Sequence, residues 1–275
     1  MSGYQMPSAV AQTRLAPILD SVLQRLAQRK GQCGLAELHL QTAPDLQRRP
    51  RFVTALKNSD VAVIAECKRR SPSAGMLSDD QNLAARAQNY AMGGAAALSI
   101  LTEEDHFKGG LIELQNVAAA GLPRLRKDFI LDEYMVLESI NAGADAILLM
   151  VVCLDDVLLA ELRAQAAELG MAVLLEVHDE AELERAITVD PDCLGVNARN
   201  LTTFHVELAH TVAMLPHIPE QFVRVAESGL RTPADVARVA VAGADAVLIG
   251  EALMKANDPA QRIREFQVAA QEARA

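Results

Sequence analysis

Short apolar segments alternate with amphipathic ones along most of the chain. Between residues 61 and 250, runs rich in Val, Ile, Leu and Ala predict buried strands at 61–66, 96–102, 123–127, 146–151, 172–177, 193–197, 222–227 and 246–250. The segments between them have helical spacing, as in DVLLAELRAQAAELG at 156–170. Near-continuous apolar strands separated by helices are typical of a parallel sheet covered on both faces. Eight such units predict an α/β fold, a single closed (β/α)8 TIM barrel.

The pattern before the first strand is helical. Apolar residues recur on one face of residues 15–30, at Leu15, Ile18, Leu19, Val22, Leu23 and Leu26. This spacing predicts an amphipathic helix packed on a core, the alternative being a helix that binds a partner. A further short helix is predicted near 52–57. We therefore expect residues 1–60 to form an N-terminal helical extension packed on a barrel of residues 61–275, together one structural domain.

A short repeat supports the barrel. AGADA occurs at 142–146 and again at 242–246, and a weaker version, GGAAA, occurs at 93–97. Each precedes a predicted strand, so the glycine is expected to end a helix in a left-handed conformation. We therefore expect these junctions to be structural and to take no part in catalysis.

Composition narrows the functional classes. The 275 residues are 51% hydrophobic and carry a net charge of −10. This acidic balance argues against nucleic acid or an anionic membrane as the main partner, but it allows a local cationic pocket. The N-terminal sequence lacks a secretory signal, and no apolar run reaches the length of a membrane span. We expect a soluble, cytoplasmic protein.

The cysteines and histidines indicate no metal site. Cys33, Cys67, Cys153 and Cys193 are far apart and form no CxxC or Cys/His cluster, and the six histidines are scattered. This pattern predicts reduced thiols and no structural zinc.

Polar residues stand at the carboxyl ends of the predicted strands, where barrels of this type carry their active sites. They are Glu66, Lys68, Thr102, Lys127, Glu176, Asn197, Arg199, Glu227, Ser228 and Gly250. Charges at the ends of buried strands are unfavourable unless they are paired or used. A structural ring of ion pairs is the alternative, but so many charges converging on one rim favour a functional site.

Three segments at the same rim predict a phosphate site. ESGLRTPADV at 227–236 contains small residues and then a Thr N-cap before Pro233, and IGEALM at 249–254 combines a glycine with a short helix start. Loops after the last two strands of such barrels often bind phosphate on backbone N–H groups. SPSAG at 71–75 adds hydroxyls that could contact the same ligand.

At these residues the chain resembles the indole-3-glycerol phosphate synthases. The resemblance runs from about residue 15 to 259 and rests on IAECKRRSPSAG, LTEEDHFKGG, LRKDFILDEY, AGADAILL, LLEVHDEAEL, GVNARNLTTFHVEL, VAESGL and LIGEALM. K-x-x-S-P-S-x-G and L-R-K-D-F are its most specific parts. Cys67, Gly110 and Ala198 depart from the residues usual in the family, and none of them removes a catalytic group.

The resemblance implies a phosphosugar substrate, 1-(o-carboxyphenylamino)-1-deoxyribulose 5-phosphate, closed to indole-3-glycerol phosphate with loss of carbon dioxide and water and without a cofactor. By motif, Lys127 would be the general acid on the ketone oxygen and Glu176 the general base. Lys68 would hold the substrate carboxylate, and the division of the acid steps between the two lysines stays open. We expect crowding by a second cation and partial desolvation to lower the pKa of Lys127 toward neutrality.

The remaining roles follow from the same motifs. Glu66 and Asn197 would orient the catalytic groups and sugar hydroxyls, with Ser228 nearby. Substrate binding is assigned to Ser71, Phe107, Phe129, Arg199, Glu227, Gly229, Gly250 and Glu251. Of these, Arg199 serves the anthranilate end, and Ser71, Gly229, Gly250 and the backbone of Glu251 serve the phosphate. For Phe107 and Phe129, an aryl pocket and core packing are both open.

Two rival functions fit parts of the pattern. An isomerase or epimerase on the same scaffold needs an acid/base pair such as Cys/Asp or a metal, whereas this rim carries lysines and glutamates and Cys67 faces away. A non-catalytic phosphosugar-binding barrel needs the phosphate loops but not Lys127 with Glu176. The oligomeric state stays open between a monomer and a weak homodimer.

Overall fold

A closed parallel barrel forms the centre of the molecule. The computed structural model describes residues 4–71, 75–76, 82–201 and 205–275. The barrel strands are β1 Ala62–Cys67, β2 Ala97–Leu101, β3 Arg124–Lys127, β4 Ala146–Met150, β5 Ala172–Val177, β6 Cys193–Asn197, β7 Val223–Glu227 and β8 Ala246–Ile249. They pair in sequence order, and β1 pairs with both β2 and β8, which closes the barrel. The predicted TIM barrel is confirmed.

Helices surround the barrel and precede it. They are α1 Ser8–Ala11, α2 Ala16–Gln32, α3 Leu35–Gln41, α4 Arg48–Lys57, α5 Leu83–Met92, α6 Leu111–Asn116, α7 Glu133–Asn141, α8 Asp156–Glu168, α9 Glu180–Thr188, α10 Leu208–Met214, α11 Pro233–Val241, α12 Glu251–Met254 and α13 Pro259–Arg274. Short 3-10 segments lie at Ala118–Ala120, Val151–Cys153 and Leu215–His217. A separate antiparallel pair joins Arg70–Ser71 to Gly75–Met76.

The predicted N-terminal helix is α2, and its apolar face is part of the buried core. Ile18, Leu19, Val22 and Leu26 are buried on that face. Ion pairs secure its polar edge: Arg29 reaches Glu138 at 2.6 Å and Lys30 reaches Asp132 at 2.7 Å. We propose that this extension and the barrel fold as one domain.

Helix α4 covers the end of the barrel where the strands begin. Its own side chains Phe52 and Leu56 are buried. Arg51 lies 3.1 Å from Asp145, and Arg49 lies 2.6 Å from Asp192. Both aspartates directly precede barrel strands, so α4 is tied to the amino ends of the sheet.

The repeated junctions have the predicted conformation. Gly94, Gly143 and Gly243 have φ of 88°, 91° and 98°, values that glycine adopts without steric cost. The aspartates of the two AGADA copies then bind the neighbouring strand: Asp145 accepts from the backbone N–H of Arg124 at 2.8 Å, and Asp245 from that of Arg224 at 2.9 Å. The repeat is therefore a structural device for starting strands.

No helix among residues 4–71, 75–76, 82–201 and 205–275 combines the length and the apolar character needed to cross a membrane. Cys33, Cys67, Cys153 and Cys193 are free thiols.

Candidate active site

A cavity of about 1180 Å³, including the part open to solvent, lies at the carboxyl ends of the strands. It brings together nearly all the predicted site residues: Glu66, Lys68, Phe107, Lys127, Phe129, Glu176, Asn197, Arg199, Glu227, Ser228, Gly229, Gly250 and Glu251. Ser71 is described only in its backbone, in the pair Arg70–Ser71. The side chain of Ser71 and residues 72–74 of SPSAG lie outside the described part of the chain.

Lys127 and Glu176 form the centre of the site. Lys127 ends β3 and Glu176 is the next-to-last residue of β5, and both point into the barrel. Lys127 Nζ donates to Glu176 Oε2 at 2.8 Å and lies 3.4 Å from Glu227 Oε2. Asn197 Nδ2 donates to the other oxygen, Glu176 Oε1, at 2.9 Å. Both oxygens of Glu176 are therefore held from the barrel interior.

These neighbours set the charge of the pair. Burial acts to lower the pKa of Lys127, but the attraction of Glu176 and Glu227 outweighs it, and the pKa is raised. The prediction that a second cation lowers this pKa is wrong, because the closest charged neighbours of Lys127 are carboxylates. Burial acts to raise the pKa of Glu176, but Lys127 and then His178 hold it well below its usual range. The resting pair is an ammonium and a carboxylate.

The pKa of Glu227 is shifted in the opposite direction to that of Glu176. Glu227 is 1% exposed, and its Oε1 has no hydrogen-bond partner among the described residues. Burial raises its pKa to about 8; Lys127 opposes this shift and Glu176 adds to it. Glu227 therefore keeps its proton to a higher pH than Glu176 does.

The second lysine has its own carboxylate. Glu66 and Lys68 stand two residues apart at the end of β1, and Lys68 Nζ lies 2.5 Å from Glu66 Oε1. Gly250 makes this arrangement feasible, because a Cβ there would lie 2.1 Å from Glu66 Oε1 and 2.8 Å from Lys68 Nζ. Gly250 therefore packs closely against the side chains of this pair.

The two phenylalanines sit on loops that carboxylates organise. Glu103 is 3% exposed and accepts from the backbone N–H groups of Asp105 at 3.0 Å, His106 at 2.7 Å and Phe107 at 2.9 Å. The rings of Phe107 and Phe129 are 6.4 Å apart and inclined at 45°. Both rings line the cavity and also pack on the core, and the aryl pocket stays a prediction.

The predicted phosphate loops lie at the same rim. Ser228 and Gly229 both have positive φ, 65° and 77°, which turns the chain sharply after β7. Thr232 then caps α11 in a reciprocal capping box with Asp235, as the TP dipeptide predicts. After β8, α12 begins directly beyond Gly250.

Leu15, Arg231 and His178 are among the residues near the site that were not predicted. Leu15, from the extension, and Arg231, from the loop after β7, line the cavity. His178 contacts Glu176 from outside the cavity lining. Arg231 stands two residues after Gly229, a predicted phosphate residue, and His178 stands two residues after Glu176, the predicted base. Their positions in the sequence could therefore have placed both of them near the site. Leu15 had none beyond its place on an apolar face.

Comparison with known proteins gives the family. The chain matches the family model described as Indole-3-glycerol phosphate synthase over residues 15–266. A protein of that name from Nocardioides sp. is 46% identical over 256 residues, covering 92% of this chain and 97% of the relative. Another, from Polaromonas sp., is 51% identical over 199 residues, covering 72% and 75%.

Solved structures are similar in fold. Thiamine phosphate pyrophosphorylase from Pyrococcus furiosus has a TM-score of 0.59 at 16% identity, covering 80% of this chain and all of that chain (100%). 3-Hexulose-6-phosphate synthase from Salmonella typhimurium has a TM-score of 0.61 at 17% identity, covering 78% of this chain and 100% of the other. The sequence matches go further than this likeness of fold, and they show that the chain belongs to the indole-3-glycerol phosphate synthase family.

Proposed function

We propose that this chain is a carboxy-lyase that converts 1-(o-carboxyphenylamino)-1-deoxyribulose 5-phosphate to indole-3-glycerol phosphate, with Lys127 as general acid and Glu176 as general base. Family membership supports the activity. The observation that carries the assignment of roles is the contact of 2.8 Å between Lys127 Nζ and Glu176 Oε2 inside the barrel mouth. A buried ion pair usually costs more in desolvation than it contributes to stability, so a purely structural role for this pair is unfavourable. An acid and a base within reach of one substrate give the pair a catalytic role.

Ring closure is the step for Lys127. The aryl carbon that bears the carboxylate attacks the ketone carbon, and negative charge develops on the ketone oxygen. An alkoxide is a far stronger base than an amine, so an ammonium of raised pKa still transfers its proton downhill. The carboxylates around Lys127 keep it charged until that moment, which is the electrostatic preorganisation that such a step needs.

Glu176 acts later. Loss of carbon dioxide restores the aromatic ring, and dehydration then requires a proton to leave the carbon beside the nitrogen. Glu176 takes that proton and, at 2.8 Å from Lys127, can return it to the amine that gave up its own. Two protons enter, on the ketone oxygen and on the departing hydroxyl, and one leaves, so each turnover takes up one proton from solvent.

The substrate's other groups have matching residues. In this proposal Lys68 holds the carboxylate and is the candidate donor to the departing hydroxyl, and its ion pair with Glu66 at 2.5 Å supports an orienting role for Glu66. Asn197 and Ser228 face the sugar hydroxyls. Substrate binding also uses Ser71, Phe107, Phe129, Arg199, Glu227, Gly229, Gly250 and Glu251, in the roles set out above.

An isomerase acting through Cys67 is disfavoured. Cys67 is buried on the opposite face of β1, near Tyr90 and Arg86 of α5. Burial raises the pKa of its thiol to about 12, which makes it a poor proton carrier near neutral pH.

Indole fluorescence tests the function directly, because the chain contains no tryptophan. Purified protein given the carboxyphenylamino substrate is expected to produce indole fluorescence and an equal amount of carbon dioxide. The control is the same protein given phosphoribosylanthranilate. Consumption of phosphoribosylanthranilate, with neither indole nor carbon dioxide formed from the first substrate, would establish an isomerase instead.

A further inference from the structure

His178 lies beside the proposed base, just beyond the end of β5. Its side chain is 11% exposed. Nε2 is 3.3 Å from Glu176 Oε1, and Nδ1 is 3.1 Å from Glu182 Oε2. A neutral imidazole carries only one N–H, so a ring between two carboxylates is satisfied on both sides only as an imidazolium.

The start of α9 fixes this ring. Asp179 caps the helix by accepting from the backbone N–H of Glu182 at 2.8 Å. Glu182 Oε2 in turn accepts from the backbone N–H of His178 at 2.8 Å. From α10, His210 Nε2 lies 2.7 Å from the carbonyl oxygen of His178. The imidazole is thus anchored by its own backbone and by the first turn of the next helix.

Glu176 is consequently held from three sides. Lys127 contacts Oε2, whereas Asn197 and His178 both approach Oε1. Asn197 supplies an aligned hydrogen bond. The Nε2 of His178 makes no aligned hydrogen bond within the described part of the chain, so its contact with Glu176 acts mainly through charge.

We propose that His178 is a positioning residue for the reaction: anchored by Glu182, it orients Glu176 toward Lys127 and supplies the second positive charge that faces this base. The inference rests on the proposed function, in which Glu176 accepts a proton. It assigns no contact between His178 and substrate.

The charges around the ring agree with this role. Burial acts to lower the pKa of His178, but Glu176 and Glu182 raise it to about 9. Among the described residues nearby, Lys127 lies across Glu176, and His210 of α10 contacts the backbone carbonyl of His178. The thiol of Cys153 lies near the same two glutamates, and burial raises its pKa. His178 is therefore cationic across the neutral range, and loss of that charge should raise the pKa of Glu176.

Two variants separate orientation and charge from anchoring. His178→Asn keeps an amide where Nδ1 meets Glu182 but removes Nε2, and His178→Gln places a neutral amide near the Nε2 position. In His178→Asn we expect kcat to fall about tenfold and the acid limb of the kcat–pH profile to move up by about one unit, with KM within about twofold. His178→Gln should recover part of kcat, because its amide can still orient Glu176. Its acid limb should stay displaced, because the amide carries no charge. If His178 only anchors α9, the kcat–pH profile of His178→Asn will superimpose on that of the wild type, and this result would overturn the proposal.

A readout independent of activity completes the test. Coupling between two titrating groups is reciprocal, so in Glu176→Gln the pKa of His178, followed by NMR of its ring protons, should fall below the wild-type value. An unchanged titration would overturn the proposal even if His178→Asn failed to fold. Failure of the proposed function has a different signature: the wild type makes no indole, while the NMR coupling between His178 and Glu176 persists.

Discussion

Two adjacent cations on β3 have separate tasks because strand side chains alternate. Lys127 points into the cavity, whereas Arg126 is 1% exposed and points outward. Arg126 binds Asp128 at 2.9 Å, the carbonyl of Met135 at 2.8 Å and Ser139 Oγ at 3.1 Å. Because it lies on the opposite face of the strand, Arg126 has a structural role: its hydrogen bonds connect β3 to α7.

Arg126→Met should lower the free energy of unfolding by about 3–5 kcal/mol, because it leaves the carboxylate of Asp128 buried without its cation. Urea denaturation measures this loss. The matched control is Arg25→Met, whose ion pair with Asp105 lies at the surface with Arg25 45% exposed, and whose midpoint should stay near the wild type. Equal midpoints for the two variants would contradict the structural role.

Gly250 tests the close packing around the second lysine. In Gly250→Ala the new Cβ would meet Glu66 Oε1 at 2.1 Å and displace the Glu66–Lys68 pair. We expect kcat/KM to fall by about a hundredfold, the size of effect that a shift of about 1 Å in a catalytic group produces. Gly31→Ala is the control, since nothing lies within 4 Å of a Cβ there, and it should retain full activity. A fully active Gly250→Ala would show that this pair need not be fixed.

At the scale of elements, the strands were predictable and one loop was not. Apolar runs placed every barrel strand to within one residue at each end, because burial on both faces leaves a continuous signal. Strand alternation also explains why Glu66 and Lys68 line the same cavity. The loop after β2 carries no such pattern: its shape depends on one carboxylate, Glu103, capturing three backbone N–H groups.

Glu103→Ala should therefore disturb substrate binding. Without the acceptor for its backbone N–H, Phe107 loses its fixed place in the cavity wall, and KM should rise about tenfold with a smaller change in kcat. Steady-state kinetics with the carboxyphenylamino substrate measure both constants. Glu104→Ala alters the neighbouring residue, which is 41% exposed and paired with Arg25, and should match the wild type. Identical KM values for the two variants would rule out this role for Glu103.

At the scale of the whole molecule, closure of the barrel decides which charges meet. Glu66, Lys127, Glu176 and Glu227 are far apart in sequence, yet they face one cavity. From the positions of the strand ends, the sequence could predict that these residues lie at the same rim of the barrel. It could not predict which lysine pairs with which carboxylate, and the wrong expectation for the pKa of Lys127 follows from that gap.

The buried titrating groups also predict how stability depends on pH. Glu227 and His178 have folded pKa values of about 8 and about 9, raised from 4.5 and 6.5. The folded state therefore binds more protons than the unfolded chain between pH 6.5 and 9, so the free energy of unfolding should fall as the pH rises through that window. Urea midpoints measured from pH 6 to 9 should decline. The decline should be shallower in Glu227→Gln but unchanged in Glu272→Gln, which alters an exposed residue; a flat wild-type profile would contradict these protonation states.

The most direct test of the central claim is the turnover of Lys127→Ala and Glu176→Gln, followed by indole fluorescence. Both variants should fold and lose at least about a hundredfold in kcat, the usual contribution of a positioned acid or base. Lys57→Ala, at the exposed end of α4 away from the cavity, should turn over like the wild type. Near-wild-type turnover in Lys127→Ala or Glu176→Gln would remove that residue from its proposed role.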